Sequence, residues 1–221
     1  MRPLFSVLAL SLAVAVAALT GPLASRMAER RGAVALLGLP VGPEYAREVA
    51  AWRAAHDVGV DDPATLSWFP VDEDYRVVAS FVSFPTPRTL VVRVTDGGLT
   101  KVAAPGYLEF ELERATFRLL PYWPATGDAM VIGFTDETNG TTSWREGRTL
   151  EAAFPGGRAA ADAVARQAAE GALIPPIPIV LDFNRAVSLP CAHDPATVCP
   201  LPPADNNLAV EIRAGERDAG E

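Results

Sequence analysis

The chain has 221 residues, enough for one ordinary domain behind a targeting segment, and 49% of them are hydrophobic, so a core can form without metal or many cross-links. Its formal charge of −8 repels phosphate backbones and anionic lipid heads, which argues against nucleic acid and peripheral membrane partners. Lys101 is the single lysine and leaves one candidate for Schiff-base chemistry.

At the N-terminus, Arg2 precedes an apolar or small-residue stretch, Pro3–Leu19, followed by Thr20, Gly21 and Pro22. Ala15-Val16-Ala17 offers the small residues that a signal peptidase reads, so residues 1–25 are expected to be a cleaved signal peptide. An uncleaved anchor is the rival, because the stretch approaches the roughly 20 residues that span a bilayer. Either route exports the chain, leaving it secreted or held at the outer face of the cytoplasmic membrane through that segment alone. Residues 26–42 read as a linker and residues 43–221 as a single β-rich domain.

A helix is expected from Pro43 to about His56, with Tyr45, Val49 and Trp52 forming one apolar stripe and His56 on the polar side. The period then changes. Tyr75–Phe84 is β-branched and aromatic, Leu90, Val92 and Val94 alternate with Val91, Arg93 and Thr95, and Asp96-Gly97-Gly98 suits a tight hairpin. Leu108–Glu113 alternates apolar residues with carboxylates, as a sheet with one wet face requires. Thr116–Leu120, Ala129–Phe134, Thr149–Phe154, Ile177–Phe183 and Leu208–Arg213 continue in the same style, and the alanine-rich Gly157–Gly171 reads as a short surface helix. The expected fold is mainly β: antiparallel sheets as a sandwich or partly closed barrel, with an N-terminal helix and a short inserted helix.

Familiar catalytic signatures are missing. There is no G-x-S-x-G elbow, phosphate-cradling glycine loop, H-E-x-x-H or C-x-x-C, and no cofactor motif. His56 and His193, the two histidines, read as ordinary surface or loop residues. Cys191, His193 and Cys199 have the ligand types of a zinc site, but one residue between Cys191 and His193 is cramped spacing, so no metal is expected. In an oxidising compartment the two cysteines, set in a proline-rich loop, most simply form a disulfide; free buried thiols are the alternative.

Two polar constellations stand out. One runs from Gly133 to Arg148 and carries Asp136, Thr138 and Arg148; the other is Asp182-Phe183-Asn184-Arg185 at the end of an apolar strand. Asp, Asn and Arg at strand ends can bind a small polar or anionic ligand, with arginine gripping an oxyanion in bidentate fashion. The same residues make good turn and cap hydrogen bonds, and spacing alone favours that structural role.

Leu181-Asp182-Phe183-Asn184-Arg185-Ala186, then Cys191-Ala192, Cys199-Pro200-Leu201-Pro202-Pro203, Asn206, Leu208 and Ala214-Gly215-Glu216 closely resemble the bacterial and archaeal domain-of-unknown-function family 1684. Phe134, Asp136, Thr138, Gly140, Gly147 and Arg148 match the same pattern upstream, and Trp52-Arg53 and Trp68-Phe69-Pro70 fit its N-terminal part, so the resemblance covers residues 45–216. It implies that the Asp182 segment and the Cys191 and Cys199 pair belong together as a family feature. It implies no activity. This chain departs from the pattern at Trp144, where tyrosine is usual, and at Ala186-Val187-Ser188-Leu189, where Ala-Tyr-Asn-Pro is usual; Gly157–Pro176 looks like an insertion.

These readings lead to an exported cell-envelope binding or structural module with a polar pocket built from Asp136, Arg148, Asp182, Asn184 and Arg185. Arg148 and Asp182 are expected on neighbouring strand ends, paired directly or through one ligand. The alternative is a hydrolase with Asp136 or Asp182 as general base.

Overall fold

Asp96-Gly97-Gly98 lies in the turn of the longest hairpin among the described residues. β2 (Arg76–Arg93) and β3 (Leu99–Leu112) pair antiparallel, and Gly97 takes a φ of 87° in the turn between them. The expected strands at 75–84 and 90–95 are thus one strand, interrupted by a register shift between Ser83 and Arg88. Pro85 and Pro87 fall inside that interruption, where no ladder donor is needed. Leu108, Phe110 and Leu112 are buried, while Glu111 between them is exposed.

The computed structural model describes residues 32–57 and 66–218; the expected signal or anchor at residues 1–25 lies outside them. Residues 32–36, expected as part of a linker, are helical, and Val34 among them is buried. The first named helix, α1 (Pro43–Asp57), follows the expected boundaries with Tyr45 and Val49 fully buried. His56 does not sit on a polar face: it stacks on Trp52, with ring centroids 5.5 Å apart. Among the described residues no helix is long and apolar enough to cross a membrane.

Two four-stranded sheets pack around one core, without closing into a barrel. The first has the order β4-β3-β2-β7, adding β4 (Ala115–Leu119) and β7 (Ile177–Asp182). The second has the order β8-β6-β5-β9, built from β5 (Ala129–Asp136), β6 (Arg148–Ala153), β8 (Val187–Ser188) and β9 (Asn207–Leu208). A small pair joins β1 (Ser67–Trp68) to β10 (Glu216–Arg217). Only β5–β9 is a parallel pairing among them. Helix α2 (Gly157–Ala169) packs on β2 through the buried Ala161.

Phe81, Phe110, Phe134, Phe154 and Phe183 meet inside the core at centroid distances of 5.3–5.8 Å. Full burial of each such side chain contributes about 1.5–3 kcal/mol. The expected strand Leu208–Arg213 is corrected: only Asn207–Leu208 pairs, and residues 211–214 have no regular structure. A buried arginine takes the place of the missing ladder.

Candidate functional site

That arginine is Arg148. The β5–β6 hairpin sets it opposite Phe134, just after Gly147, whose φ is 103°. A Cβ on Gly147 would lie 2.6 Å from the Phe134 carbonyl oxygen, so only glycine fits there. The Arg148 side chain is 0% exposed. Its Nη2 donates to Asp136 Oδ2 at 2.8 Å and to the Ile212 carbonyl at 2.7 Å; Nη1 donates to the carbonyls of Ala214 at 2.5 Å and Glu216 at 3.1 Å. Residues 212, 214 and 216 alternate along an extended tail, so one guanidinium holds the carbonyls that a neighbouring strand would otherwise hold. Gly215 lets this tail pass close to the Phe183 and Ala186 carbonyls, again with positive φ.

Asp136 completes the knot. Its Oδ1 accepts from the Thr138 amide at 2.9 Å, the Thr138 hydroxyl at 2.5 Å and the Ile212 amide at 3.2 Å. Asn139 closes the loop by accepting from the Asp136 amide and donating to the Trp144 carbonyl, both at 2.6 Å. Asp136, Thr138 and Arg148 are therefore brought together, but inside the protein. Arg148 does not meet Asp182: the hairpin folds Asp136, twelve residues upstream, onto it instead.

Asp182 ends β7 and caps the following 3₁₀ turn, Phe183–Arg185, by accepting from the Asn184 amide at 3.2 Å. The same Oδ1 accepts from the Tyr45 hydroxyl at 2.7 Å. Burial, reinforced by the adjacent Asp182 charge, holds the Tyr45 phenol well above its ordinary range. Asn184 is wholly buried: its Nδ2 donates to Tyr45 Oη at 2.9 Å and to the Asp72 carbonyl at 2.7 Å, and its Oδ1 accepts from the Asp72 amide at 2.9 Å. Asn184 is thus a scaffold residue that fixes α1 and the 72–75 turn to the end of β7.

Asp182 Oδ2 faces two guanidiniums, with Arg185 Nε at 3.3 Å and Arg76 Nε at 4.0 Å. Neither Nε is aligned to hydrogen-bond it, and both are buried without any hydrogen-bond acceptor. Arg185 also pairs with Glu48 on α1, and Arg76 donates to the Pro40 carbonyl at 2.6 Å while lying over the Tyr45 ring.

This cluster forms one end of a half-open cavity of about 840 Å³. The outward side chains of β5, β6 and β7 form its floor, with Val131, Ala153, Pro178 and Val180 among them. Glu48, Trp52 and His56 of α1, with Leu37 and Leu39, form the opposing side. Asp182 and Arg185 line the cavity; Asn184 supports them from behind; Asp136, Thr138 and Arg148 are not part of it. The single polar pocket expected from the sequence is two separate assemblies.

Residues 63–217 match the model of a family described as a protein of unknown function, DUF1684. The chain belongs to that family. It is also similar to an uncharacterized protein of Haloarcula marismortui whose structure was solved in solution by NMR. The two share 28% identity over 90% of this chain and 92% of that one, with a TM-score of 0.54. No functionally curated protein matches. The DUF1684 match contains both aspartate–arginine assemblies and both cysteines, and begins after α1.

In this DUF1684 member Val187 lines the cavity, at a position where the resemblance expects tyrosine, so the wall is apolar there. The Cys191 and Cys199 sulfurs are at disulfide distance, with Cα atoms 6.0 Å apart. His193 pairs instead with Glu216, its Nε2 lying 3.0 Å from Glu216 Oε1, and among the described residues no cluster of three or more potential metal ligands forms. Sequence reasoning missed Tyr45, Glu48 and Arg76. The stripe Tyr45, Val49 and Trp52 was a usable signal for a buried face, but nothing in it announces that the Tyr45 hydroxyl reaches Asp182, 137 residues away.

Proposed function

We propose that this protein is an exported cell-envelope module that binds a small molecule in the cleft between α1 and the outer faces of β5, β6 and β7. The observation that carries the reading is the cavity of about 840 Å³, within the size range of small-molecule sites, with apolar walls and the Asp182–Arg185–Arg76 cluster at one end. A hydrolase with Asp136 as base draws no support from a side chain that is 0% exposed and bonded at both oxygens. Asp182 as base has only slightly better standing, since Tyr45 and the Asn184 amide already occupy Oδ1.

Ala153 lines the cleft and is solvent-exposed, so Ala153→Trp should fill the space without disturbing the core. Thermal-shift screening against a small-molecule library should give hits with the wild type that vanish in Ala153→Trp. Hits that stabilise both proteins equally would place binding elsewhere.

Export rests on Arg2 followed by Pro3–Leu19 and on the paired cysteines, which persist as a disulfide in oxidising compartments. Fractionation of the native host should find the protein outside the cytoplasm, and mass spectrometry of unreduced, alkylated material should show Cys191 joined to Cys199. Closing so short a loop stabilises the fold by about 2–3 kcal/mol on the chain-entropy account. Two alkylated cysteines, or full-length protein in the cytosol, would defeat this part of the reading.

A further inference from the structure

Arg76, Arg185 and Thr149 line the same cavity, and in each one polar atom, Nε, Nε and Oγ1 in turn, is enclosed by the protein without a hydrogen-bond partner among the described residues. Arg76 is only 6% exposed. Buried donors are ordinarily satisfied, so the chain leaves both guanidiniums short of acceptors, and at Arg185, whose side chain is 28% exposed, a ligand in the cleft can reach the guanidinium and add one.

The charges at that end select the acceptor. Arg76 and Arg185 converge on one shielded carboxylate, Asp182, whose side chain is 13% exposed. Glu48 beside Arg185 is 43% exposed and Glu151 on the rim is also exposed, so water weakens both. Two guanidiniums against one shielded carboxylate leave room for a single further negative charge. A carboxylate suits them, because arginine N–H groups bind it with strong, charge-assisted hydrogen bonds.

Away from this end the cleft turns apolar. Thr149, Glu151 and Ala153 follow one another along the outer face of β6, and Asp182, Val180 and Pro178 do so along β7. Each run spans about 13 Å at the rise of a strand. Ala153, Phe154, Pro155, Pro178 and Ile179 line the far end. We infer that the occupant of the cleft is an amphiphile with one carboxylate head, held at Arg76 and Arg185, and an alkyl body lying along β6 and β7. This rests on the reading of the cleft as a binding site.

The test uses decanoate, decan-1-ol and decylammonium, titrated calorimetrically against wild type, Arg185→Gln and Ala153→Trp. Arg185 is chosen over Arg76 because Arg76 also secures the Pro40 carbonyl, and its loss would disturb the fold. Decanoate should bind the wild type at least about tenfold more tightly than decanol or decylammonium, the scale of one charge-assisted interaction. Arg185→Gln should lose most of that preference with decanol binding unchanged, and Ala153→Trp should bind none of them. Equal binding of decanoate and decanol, unaltered by Arg185→Gln, or a preference for decylammonium, overturns the head-group assignment and leaves the cleft as a binding site. No binding to the wild type, or equal binding to Ala153→Trp, overturns the alkyl-chain site itself; library hits that Ala153→Trp still abolishes would then preserve only the broader reading.

Discussion

The molecule builds two assemblies from the same residue types at the same kind of place. In each, an aspartate ends a β-strand, its side chain accepts from a backbone amide two residues on, and an arginine answers its charge. Around Arg148 the surroundings are backbone: the carbonyls of residues 212, 214 and 216 take both terminal nitrogens, and no surface remains. Around Asp182 the surroundings are side chains of α1 and a cavity, and two guanidiniums share one carboxylate oxygen. The type of residue sets the vocabulary of both clusters. What lies opposite decides that one fastens a tail and the other looks onto a cleft.

The largest way to test the contrast is Arg148→Ala. It leaves Asp136 charged and buried, and releases three tail carbonyls at once, so the expected loss is about 3–5 kcal/mol in urea denaturation. Hydrogen exchange should rise first in residues 210–217. A loss under about 1 kcal/mol would mean that the tail is held by something else and that the two clusters are energetically alike.

Tyr45→Phe comes next, because it strikes the structural side of the second cluster. It removes the hydrogen bonds to Asp182 and from Asn184, for an expected cost of about 1–3 kcal/mol at neutral pH. Burial and then Asp182 raise the Tyr45 pKa in the folded state above its unfolded value of about 10. The folded protein therefore keeps a proton that the unfolded chain releases. The resulting stabilisation is complete below pH 10 and declines as pH rises further, by up to about 1.4 kcal/mol per unit. Burial shifts Tyr75 and Tyr122 the same way, so alkaline loss is shared. The stability gap between wild type and Tyr45→Phe should narrow above pH 10; a gap constant from pH 7 to 11 would contradict the protonated, buried phenol.

Much of this fold is legible in the sequence because short-range periodicity carries it. Leu108–Glu113 alternates as the structure does, and Asp96-Gly97-Gly98 turns where it should. The tail Leu208–Arg213 misleads for the same reason: it alternates like a strand, yet an arginine side chain rather than a strand binds its backbone. The Arg148 partner was legible only through register. Once Phe134 pairs with Arg148 across the hairpin, Asp136 is adjacent, whereas Asp182 offers the same local pattern with no claim on that position. The cleft was not legible, since Arg76 meets Asp182 through the pairing of β2 with β7, and Glu48 meets Arg185 only after α1 packs against the end of β7.

The smallest effect separates the two assemblies most sharply. Arg185→Gln removes a guanidinium that is 28% exposed, paired with a 43% exposed Glu48, and set over the Trp52 ring. Pairs of this exposure contribute about 0–1 kcal/mol, reduced further by salt. The amide of Gln also keeps Asp182 supplied with a donor, and Arg76 still opposes its charge. The expected loss is therefore below about 1 kcal/mol, shrinking between 0.15 and 1 M salt. If denaturation instead shows a loss matching Arg148→Ala, Arg185 is a second fastening residue whose unpartnered Nε reflects packing alone. A small, salt-sensitive loss leaves this arginine free to serve a ligand, which is the property that Arg148, fully enclosed by its own chain, does not have.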